Sequence, residues 1–326
     1  MTVKLGNFIT ESKEPPDEQL PHLPESLREH YKLFVGGGLA GNLFSGHEAT
    51  DESLQNDRLK LKRVGQESLI DGVPPLSVLK YVHARDDSEG VYFRGQRSIY
   101  GTLKPTLYRE IVSQAARDKR DAALKDALWA VRSTAEIFQK FGSYAHEPLL
   151  QHYGISTTWI DLVDNVWVAL WFACNRAIIS GRLKDHMHFE KRIPSTDDQY
   201  AFILFVAADI ASRNRKKPGY YFGPKTELVD LRMAAPSIFL RPHSQHGLLF
   251  RQKPDATSGR LLDYSGQLRG IVAVELSKAL DWLGTGEMVS AHSLFPPPYY
   301  DGGYDILLNT DLTGTGLVGS ILHVGA

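Results

Sequence analysis

The chain of 326 residues is long enough for one large domain or two ordinary ones, and its 42% content of hydrophobic residues supplies a substantial core. A formal net charge of -1 at pH 7 gives no global attraction to nucleic acid or to an anionic membrane. It does not exclude a local basic patch. Cys174 is the single cysteine, which excludes an intramolecular disulfide and favours a reducing, cytoplasmic location.

The first 75 residues are the least regular part of the sequence. Four prolines lie between Thr10 and Pro24 among acidic and hydroxyl residues, which predicts a loose or partner-bound arm. Gly36–Gly41 fits G-x-G-x-x-G, but Asn42–Gly46 is a poor helix start, so a flexible glycine loop is favoured over a dinucleotide-binding turn. The sequence shows neither a signal-peptide pattern nor an uninterrupted apolar run of membrane-spanning length, so neither secretion nor a membrane span is predicted.

A strand with a polar end is predicted after this region. Val91–Phe93 has the aromatic and β-branched character of a strand, and it follows a predicted helix over Leu76–Val82 and a turn. The strand is expected to end at Arg94 and Gly95. The next long segment, Arg109–Phe141, is rich in Ala, Leu, Lys and Glu with apolar groups at helical offsets, which predicts one or two amphipathic helices.

A polar turn is predicted over Gln151–Asp161, directly before a nearly all-apolar helix. We expect this helix to start near Asp161 or Asp164, because either carboxylate can accept hydrogen bonds from the amides of the first turn, and to run through Ile178. Its aromatic residues are assigned to the core, since a helix that is apolar all round is buried. These residues are Trp167, Trp171 and Phe172.

Short apolar runs bounded by turn residues follow Gly181, and they predict buried strands. The runs are Tyr200–Ala207, Leu248–Phe250 and Gly270–Glu275. Leu276–Trp282 is predicted to be a helix after the last of these strands. The sequence therefore predicts an α+β fold with a mixed or antiparallel sheet, a buried central helix and flanking helices.

Three polar motifs follow one another along the chain: Phe93-Arg94-Gly95-Gln96, then Gln151, His152, Gly154, Thr157 and Asp161, then Gln245-His246-Gly247. In residues and order they resemble the motifs of FRG-domain proteins, a bacterial and phage-associated family named for its Phe-Arg-Gly motif. In the second motif Ser156 stands where the family has Pro and Thr158 where it has Arg. The third motif resembles one that the family carries on a strand.

The resemblance covers about residues 76–304 and implies a domain organisation. It suggests an irregular N-terminal region over residues 1–75, an FRG domain over residues 76–310 and a C-terminal tail over residues 311–326. It also implies an intracellular effector with a role in phage defence or a toxin-like role.

Phe-Arg-Gly at a strand end also resembles the start of the site in one class of ADP-ribosyltransferases. In that class the Arg binds the pyrophosphate of NAD with its planar fork, and the Gly lets the ligand approach the backbone. Ser156-Thr157-Thr158 is similar to the second motif of the class. The third motif departs, because Gly247 stands where a Glu would stabilise the oxocarbenium-like transition state, and Glu227 or Glu275 would have to substitute from another strand.

These resemblances predict one nucleotide pocket that takes NAD. The catalytic candidates are Arg94, His152 and Gln245, and the cofactor-binding candidates are Arg94, Gly95, Gln151 and Thr157. Structural alternatives stay open for several of them. Arg94 could form a salt bridge or cap the strand, Asp161 could cap a helix, and His152 could fix the turn by bonding Asp161 or helix amides.

Two weaker signals concern metals and nucleic acid. The spacings of His243 with His246, and of His146 and Glu147 with His152, match no recognised zinc pattern, so no metal is predicted. The basic run 212–217 precedes Tyr220-Tyr221-Phe222, a combination that could hold a nucleic-acid backbone and stack bases, although a solvated loop is the simpler interpretation. The competing functional hypothesis is therefore a non-catalytic module that binds protein or nucleic acid.

Overall fold

The computed structural model describes residues 89–100, 102–181, 185–196, 198–214, 216–254, 263–285, 289–312 and 316–325. The proline-rich arm, the glycine loop at Gly36–Gly46 and the helix predicted over Leu76–Val82 lie outside these residues.

The first half of the described chain is mainly helical and contains both polar motif segments. It runs through β1 (Glu89–Gln96), α1 (Gln114–Thr134), α2 (His146–His152), β2 (Ile160–Val163), α3 (Val166–Cys174) and β3 (Asn175–Ser180). Three short 3-10 turns, at Thr106–Tyr108, Glu136–Gln139 and Ser143–Ala145, flank α1 and lead into α2.

The second half contributes most of the strands. It runs through β4 (His186–Lys191), β5 (Tyr200–Asp209), β6 (Ser212–Arg213), β7 (Tyr220–Phe222), β8 (Thr226–Asp230), α4 (Leu231–Ala234), α5 (Leu240–Ser244), β9 (Gly247–Gln252), β10 (Leu268–Glu275), α6 (Leu276–Leu283), α7 (Ala291–Leu294), α8 (Gly302–Leu308) and β11 (His323–Val324). A further 3-10 turn spans Ser265–Gln267.

An eight-stranded antiparallel sheet organises the fold, with the strand order β10-β5-β1-β2-β9-β8-β7-β6. Helix α3 packs on one face of its centre, where Ala169 and Leu170 are fully buried among side chains such as Phe93 and Phe205. A smaller sheet of order β11-β4-β3 packs beside it. The predicted α+β class with an antiparallel sheet and a buried central helix is confirmed.

The central helix starts close to Asp164, one of its two predicted starts, but the predicted capping residue and the predicted end are wrong. Asp161 lies inside strand β2, and the helix begins at Val166 behind Asn165, whose side-chain oxygen accepts from Trp167 N at 2.9 Å and Val168 N at 3.4 Å. The helix ends at Cys174, so Ile178 lies in strand β3. A short buried strand and a buried helix are both continuous apolar runs, and such a run does not reveal where one becomes the other.

The predicted polar turn is also partly helical. Gln151 and His152 end helix α2, and the turn begins only at Tyr153 and Gly154, where Gly154 has a φ of 114°. The described parts of the chain contain no helix that is both long and apolar enough to cross a membrane.

Candidate functional site

The first motif lies where two central strands separate. Strands β1 and β2 pair through Phe93 and Val163. Beyond this pair Arg94 Nη1 donates to the Asp161 carbonyl oxygen at 2.7 Å. The Arg94 side chain thus supplies the donor that a backbone amide of β1 would supply in a regular sheet. The guanidinium of the first motif thus reaches directly to the second motif.

Arg94 keeps donor capacity that its neighbours do not use. Its Nε donates to the Gln96 side-chain oxygen at 3.1 Å when that amide takes the orientation that satisfies both of its ends. Among the described residues no carboxylate forms an ion pair with it, and Nη2 has no partner. Burial lowers the pKa of Arg94 to about 10 and the nearby Arg109 adds to this, while Asp161 opposes it. A partly buried cation without a contacting counterion is suited to an anionic ligand.

Asp161 is held from one side by the polar residues of the second motif. Gln151 Nε2 donates to Asp161 Oδ2 at 2.9 Å, and the same amide's Oε1 accepts from Thr157 Oγ1 at 2.7 Å. Thr106 Oγ1 lies 3.3 Å from both Gln151 side-chain atoms. Thr157 is fully buried, whereas 39% of the Asp161 side chain is exposed. The network therefore holds one solvent-reachable carboxylate in a fixed orientation.

His152 and Gln245 meet in the interior, on the other side of Asp161. Gln245 Nε2 donates to the Leu294 carbonyl at 2.9 Å, which turns its Oε1 towards His152 Nδ1 at 3.1 Å. Because an amide oxygen only accepts, Nδ1 must carry the proton. The neutral ring then presents the lone pair of Nε2, which is buried and has no hydrogen-bond partner among the described residues.

The Nε2 atom of His152 faces the exposed carboxylate at short range. It lies 3.9 Å from Asp161 Oδ1, too far for a hydrogen bond and close enough to form one after a small movement. Burial lowers the pKa of His152, while the Asp161 carboxylate opposes this shift and Arg241 adds to it. At neutral pH the His152 imidazole is therefore neutral, and its Nε2 lone pair lies next to the Asp161 side chain.

Gly95 has a different role from the predicted one. A Cβ at this position would lie 1.7 Å from the Ala169 carbonyl oxygen and 3.0 Å from Ala173 N. The space left by the missing side chain is filled by the backbone of α3, and it is closed to a ligand. Gly95 allows the helix to pack closely on the sheet.

The absence of a glutamate at position 247 also has a structural reason. A Cβ on Gly247 would lie 2.5 Å from His152 Nε2, so the imidazole occupies the space of any side chain there. The suggested substitutes have other partners. Glu227 is paired with Arg251 and accepts from Tyr220 at 2.7 Å, and Glu275 lies 4.0 Å from Lys278.

Gln245 itself follows α5 and precedes β9, so the predicted strand position for it is wrong.

A second polar cluster lies at the other end of β2. Asp164 accepts from Arg232 Nη2 at 2.8 Å and lies 3.0 Å from His246 Nδ1. Arg232 also donates to Asp230, at 2.8 Å. Although burial works in the opposite direction, the hydrogen bonds from His246 and Arg232 lower the pKa of Asp164 to about 2. This cluster joins the second and third motifs, and Arg232 is the cation that its two carboxylates share.

Several residues of these networks carry no signal in the sequence. Its pattern predicts a helix cap at Asp161 and does not distinguish Thr106, Arg232 or the fully buried Arg241. Arg241 Nη1 donates to the His152 carbonyl at 2.9 Å, and its guanidinium lies 4.4 Å from the ring centre of Tyr153. The residues beside Arg241 in the sequence, Pro242 and His243, do not predict that it is buried. Its structural partners, His152 and Tyr153, lie far away along the chain.

Two cavities lie elsewhere in the described structure. One, of about 650 Å³, is lined by residues such as Trp129, Arg132 and His146, and the other, of about 550 Å³, by residues such as Glu147, Thr158 and Arg251. Arg94 lines neither of them. No cluster of three or more His, Cys, Asp or Glu side chains suited to a metal ion occurs within the described ranges.

Comparison with known proteins gives one match. Residues 89–180 match a family model described as FRG domain. This range includes β1 and the whole second motif, and it ends with β3. No curated protein and no solved structure matches the chain.

Proposed function

Because the chain contains an FRG domain over residues 89–180, we propose that this domain is a nucleotide-dependent enzyme whose site is formed by Arg94, Asp161 and His152. The observation that supports the proposal is that Asp161 lies between the other two: Arg94 Nη1 donates to its backbone carbonyl at 2.7 Å, and its Oδ1 lies 3.9 Å from His152 Nε2. An unpaired cation, an oriented carboxylate and a buried base within reach of it are the groups that group transfer from a phosphorylated donor needs.

The proposed ligand is NAD, and the residues fit it in part. Arg94 would hold a phosphate through its unused Nη2 donors, and the exposed Asp161 oxygen would accept a ribose hydroxyl. Gly95 and position 247 contribute nothing to this site, because helix α3 and the His152 ring fill the space beside them. When bound, NAD would supply an ADP-ribosyl group, whose transfer to a hydroxyl or amine acceptor releases nicotinamide and one proton.

The chain's own residues can take up that proton. The Asp161 side chain is 39% exposed and its Oδ1 lies 3.9 Å from His152 Nε2, so a proton accepted by the carboxylate can be hydrogen-bonded or passed to the imidazole behind it. Gln151 keeps the carboxylate oriented through Oδ2, and Gln245 keeps the imidazole in the tautomer that leaves Nε2 unprotonated. Asp161 is thus the proposed general base, and His152 and Gln245 are positioning residues.

The direct test measures NAD binding and nicotinamide release by the full chain. We expect saturable binding that falls about ten- to hundredfold in Arg94→Ala, since hydrogen bonds to a charged group contribute about 1.5–3 kcal/mol. Arg176→Ala is the matched control, because Arg176 is an exposed arginine on β3 and lies outside the network. Absence of NAD binding, or equal binding by Arg94→Ala and the control, would contradict the proposal.

We further propose that the enzyme acts as an intracellular effector in the cytoplasm, in phage defence or in a toxin-like role. If so, expression of the native chain in a bacterial host should slow growth, and Asp161→Asn should relieve the effect at equal protein level. Equal growth inhibition by both proteins would exclude a role for this site in the effect.

A recognition module is the second candidate, and the burial of the motif residues favours it. Thr157, His152 and Gln245 are each less than a tenth exposed, as expected of residues that brace a scaffold. A surface for nucleic acid is available on the sheet edge, where Lys217 lies 5.1 Å from the Tyr220 ring centre and Lys253 lies 5.5 Å from that of Phe222. Salt-sensitive binding of single-stranded nucleic acid, weakened by Lys217→Ala, would favour this candidate.

A further inference from the structure

Arg241 is a buried arginine beside His152, and neither the three motifs nor the proposed reaction gives it a role. It lies on α5, and only 1% of it is exposed. Because an arginine keeps its charge in a protein, this position holds a permanent cation in the interior. A buried charge is costly unless its surroundings stabilise it, so the neighbours of the guanidinium indicate what it does.

The guanidinium is surrounded by aromatic rings. Its central carbon lies 4.4 Å from the ring centres of both Tyr153 and Tyr304, and 5.3 Å from that of Phe295. Cation–π contacts of this kind are strongest where water is excluded. Among the described residues no carboxylate forms an ion pair with the guanidinium, and the buried Asp301 accepts from the Arg241 backbone amide at 3.0 Å instead. The positive charge is therefore stabilised without a salt bridge.

Arg241 and Gln245 hold His152 at two different places. Arg241 Nη1 donates to the His152 carbonyl at 2.9 Å, and Gln245 Oε1 lies 3.1 Å from His152 Nδ1. The two residues are four positions apart and belong to one helical turn, in which the Gln245 amide donates to the Arg241 carbonyl at 3.0 Å. A single turn of backbone thus fixes both the main chain and the ring of His152.

Two charged groups act on the His152 imidazole in opposite directions. Burial is the main cause of the lowered pKa of His152, and the charge of Arg241 adds to it. Asp161, whose Oδ1 lies 3.9 Å from Nε2, opposes both. A second proton on the ring would place another cation in an interior that already holds one without an ion pair.

We propose that Arg241 is a positioning residue of the site, which keeps His152 as the neutral Nδ1–H tautomer through its buried charge and its hydrogen bond to the His152 carbonyl. Gln245 selects the tautomer, and Arg241 disfavours the second proton. The Nε2 lone pair then stays available next to Asp161 at neutral and mildly acidic pH. The benefit to the reaction rests on the proposed function, whereas the protonation state of His152 can be measured without NAD.

An NMR titration of the full chain with isotope-labelled histidine tests the proposal, with the His152 signals assigned through His152→Gln. In the native chain His152 should still be the Nδ1–H tautomer at about pH 5.5, where ordinary exposed histidines are protonated. Arg241→Gln keeps a donor for the His152 carbonyl and removes the charge, so the proton affinity of His152 should rise about tenfold. Arg241→Lys keeps the charge and should leave that affinity within about twofold of the native value.

Arg192→Met is the matched control, because Arg192 is also buried but donates to Asp198 and to the Tyr200 carbonyl. It should lower stability without changing the titration of His152. An unchanged titration in Arg241→Gln would overturn the proposal, and so would equal changes in Arg241→Gln and Arg241→Lys, which would assign the effect to packing.

The native titration decides if neither variant at position 241 folds. Protonation of His152 together with the exposed histidines would refute the proposal, and a ring that stays neutral at about pH 5.5 would support it. Because none of these measurements uses NAD, failure of the NAD assay and failure of this proposal are distinguishable.

Discussion

His152 Nε2 lies 3.9 Å from Asp161 Oδ1, and the two residues differ sharply in exposure. The His152 side chain is 3% exposed and that of Asp161 is 39% exposed. A buried base behind a solvent-facing carboxylate is an arrangement that transfers a proton between solvent and the interior of a site. The helix cap predicted for Asp161 is replaced by this pairing.

Buried histidines predict acid sensitivity. Burial lowers the pKa of both His146 and His152. At mildly acidic pH the unfolded chain therefore binds protons at these histidines that the folded chain does not bind. Their contribution to stability is complete above the ordinary histidine pKa of about 6.5 and is lost as the pH falls below that value. We expect the free energy of unfolding, measured by urea titration, to decrease between about pH 7.5 and pH 5, above the range where carboxylates titrate.

The matched variant for this prediction is His152→Gln, which keeps a hydrogen-bonding side chain and removes the titration. It should flatten the decrease in stability over the same pH range, while His292→Gln, at an exposed site on α7, should leave the slope unchanged. Identical slopes for the native chain and His152→Gln would show that His152 is not held in the neutral form.

The close approach of α3 to the sheet predicts a large effect of one methyl group. Gly95→Ala should reduce the free energy of unfolding by about 3 kcal/mol or more, because the added Cβ meets the Ala169 carbonyl oxygen at 1.7 Å, and backbone cannot move aside as a flexible side chain can. Gly266→Ala is the control, since nothing lies within 4 Å of its Cβ. Chemical denaturation should separate the two variants clearly, and equal stability would mean that the helix does not pack on Gly95.

The cluster around Arg232 predicts a pH-dependent loss of stability. Arg232→Met leaves Asp164 and Asp230 without their shared cation and should cost about 2 kcal/mol at pH 7. The native pKa of Asp164, about 2, lies below the ordinary value, so its stabilising contribution is complete above about pH 4 and is lost as the pH falls towards 2. The cost of Arg232→Met should therefore shrink in acid, whereas Arg176→Met should change stability little at any pH. A cost that is independent of pH would rule out the ion pairs as its source.

The sequence predicted those helices and strands whose apolar residues recur with a clear period or form a short run between turn residues. The strands around Tyr200–Ala207, Leu248–Phe250 and Gly270–Glu275 are present as β5, β9 and β10, and the helix at Leu276–Trp282 is present as α6. The boundary between β2 and α3 could not be predicted, because Ile160–Cys174 is apolar almost throughout. The pairing of β2 with β1 and β9 distinguishes strand from helix there.

The site was predicted as a set of residues but not as an arrangement. Local motifs identified Arg94, His152 and Gln245, and the structure places Arg94 and His152 on either side of Asp161 and Gln245 against His152. The contacts that give them their roles join distant residues: Arg94 to Asp161 across 67 positions and His152 to Gln245 across 93. Which side chain faces solvent, and which tautomer the imidazole adopts, follow from these contacts and not from local sequence.

The most direct test of the central claim is the rate of nicotinamide release from NAD by Asp161→Asn, compared with the native chain. The substitution keeps the shape of the side chain and removes its capacity to take up a proton, so the rate should fall at least about a hundredfold. Asp281→Asn, at an exposed position on α6, should retain the native rate. Equal rates for Asp161→Asn and the native chain would contradict the assignment of Asp161 as the base of this site.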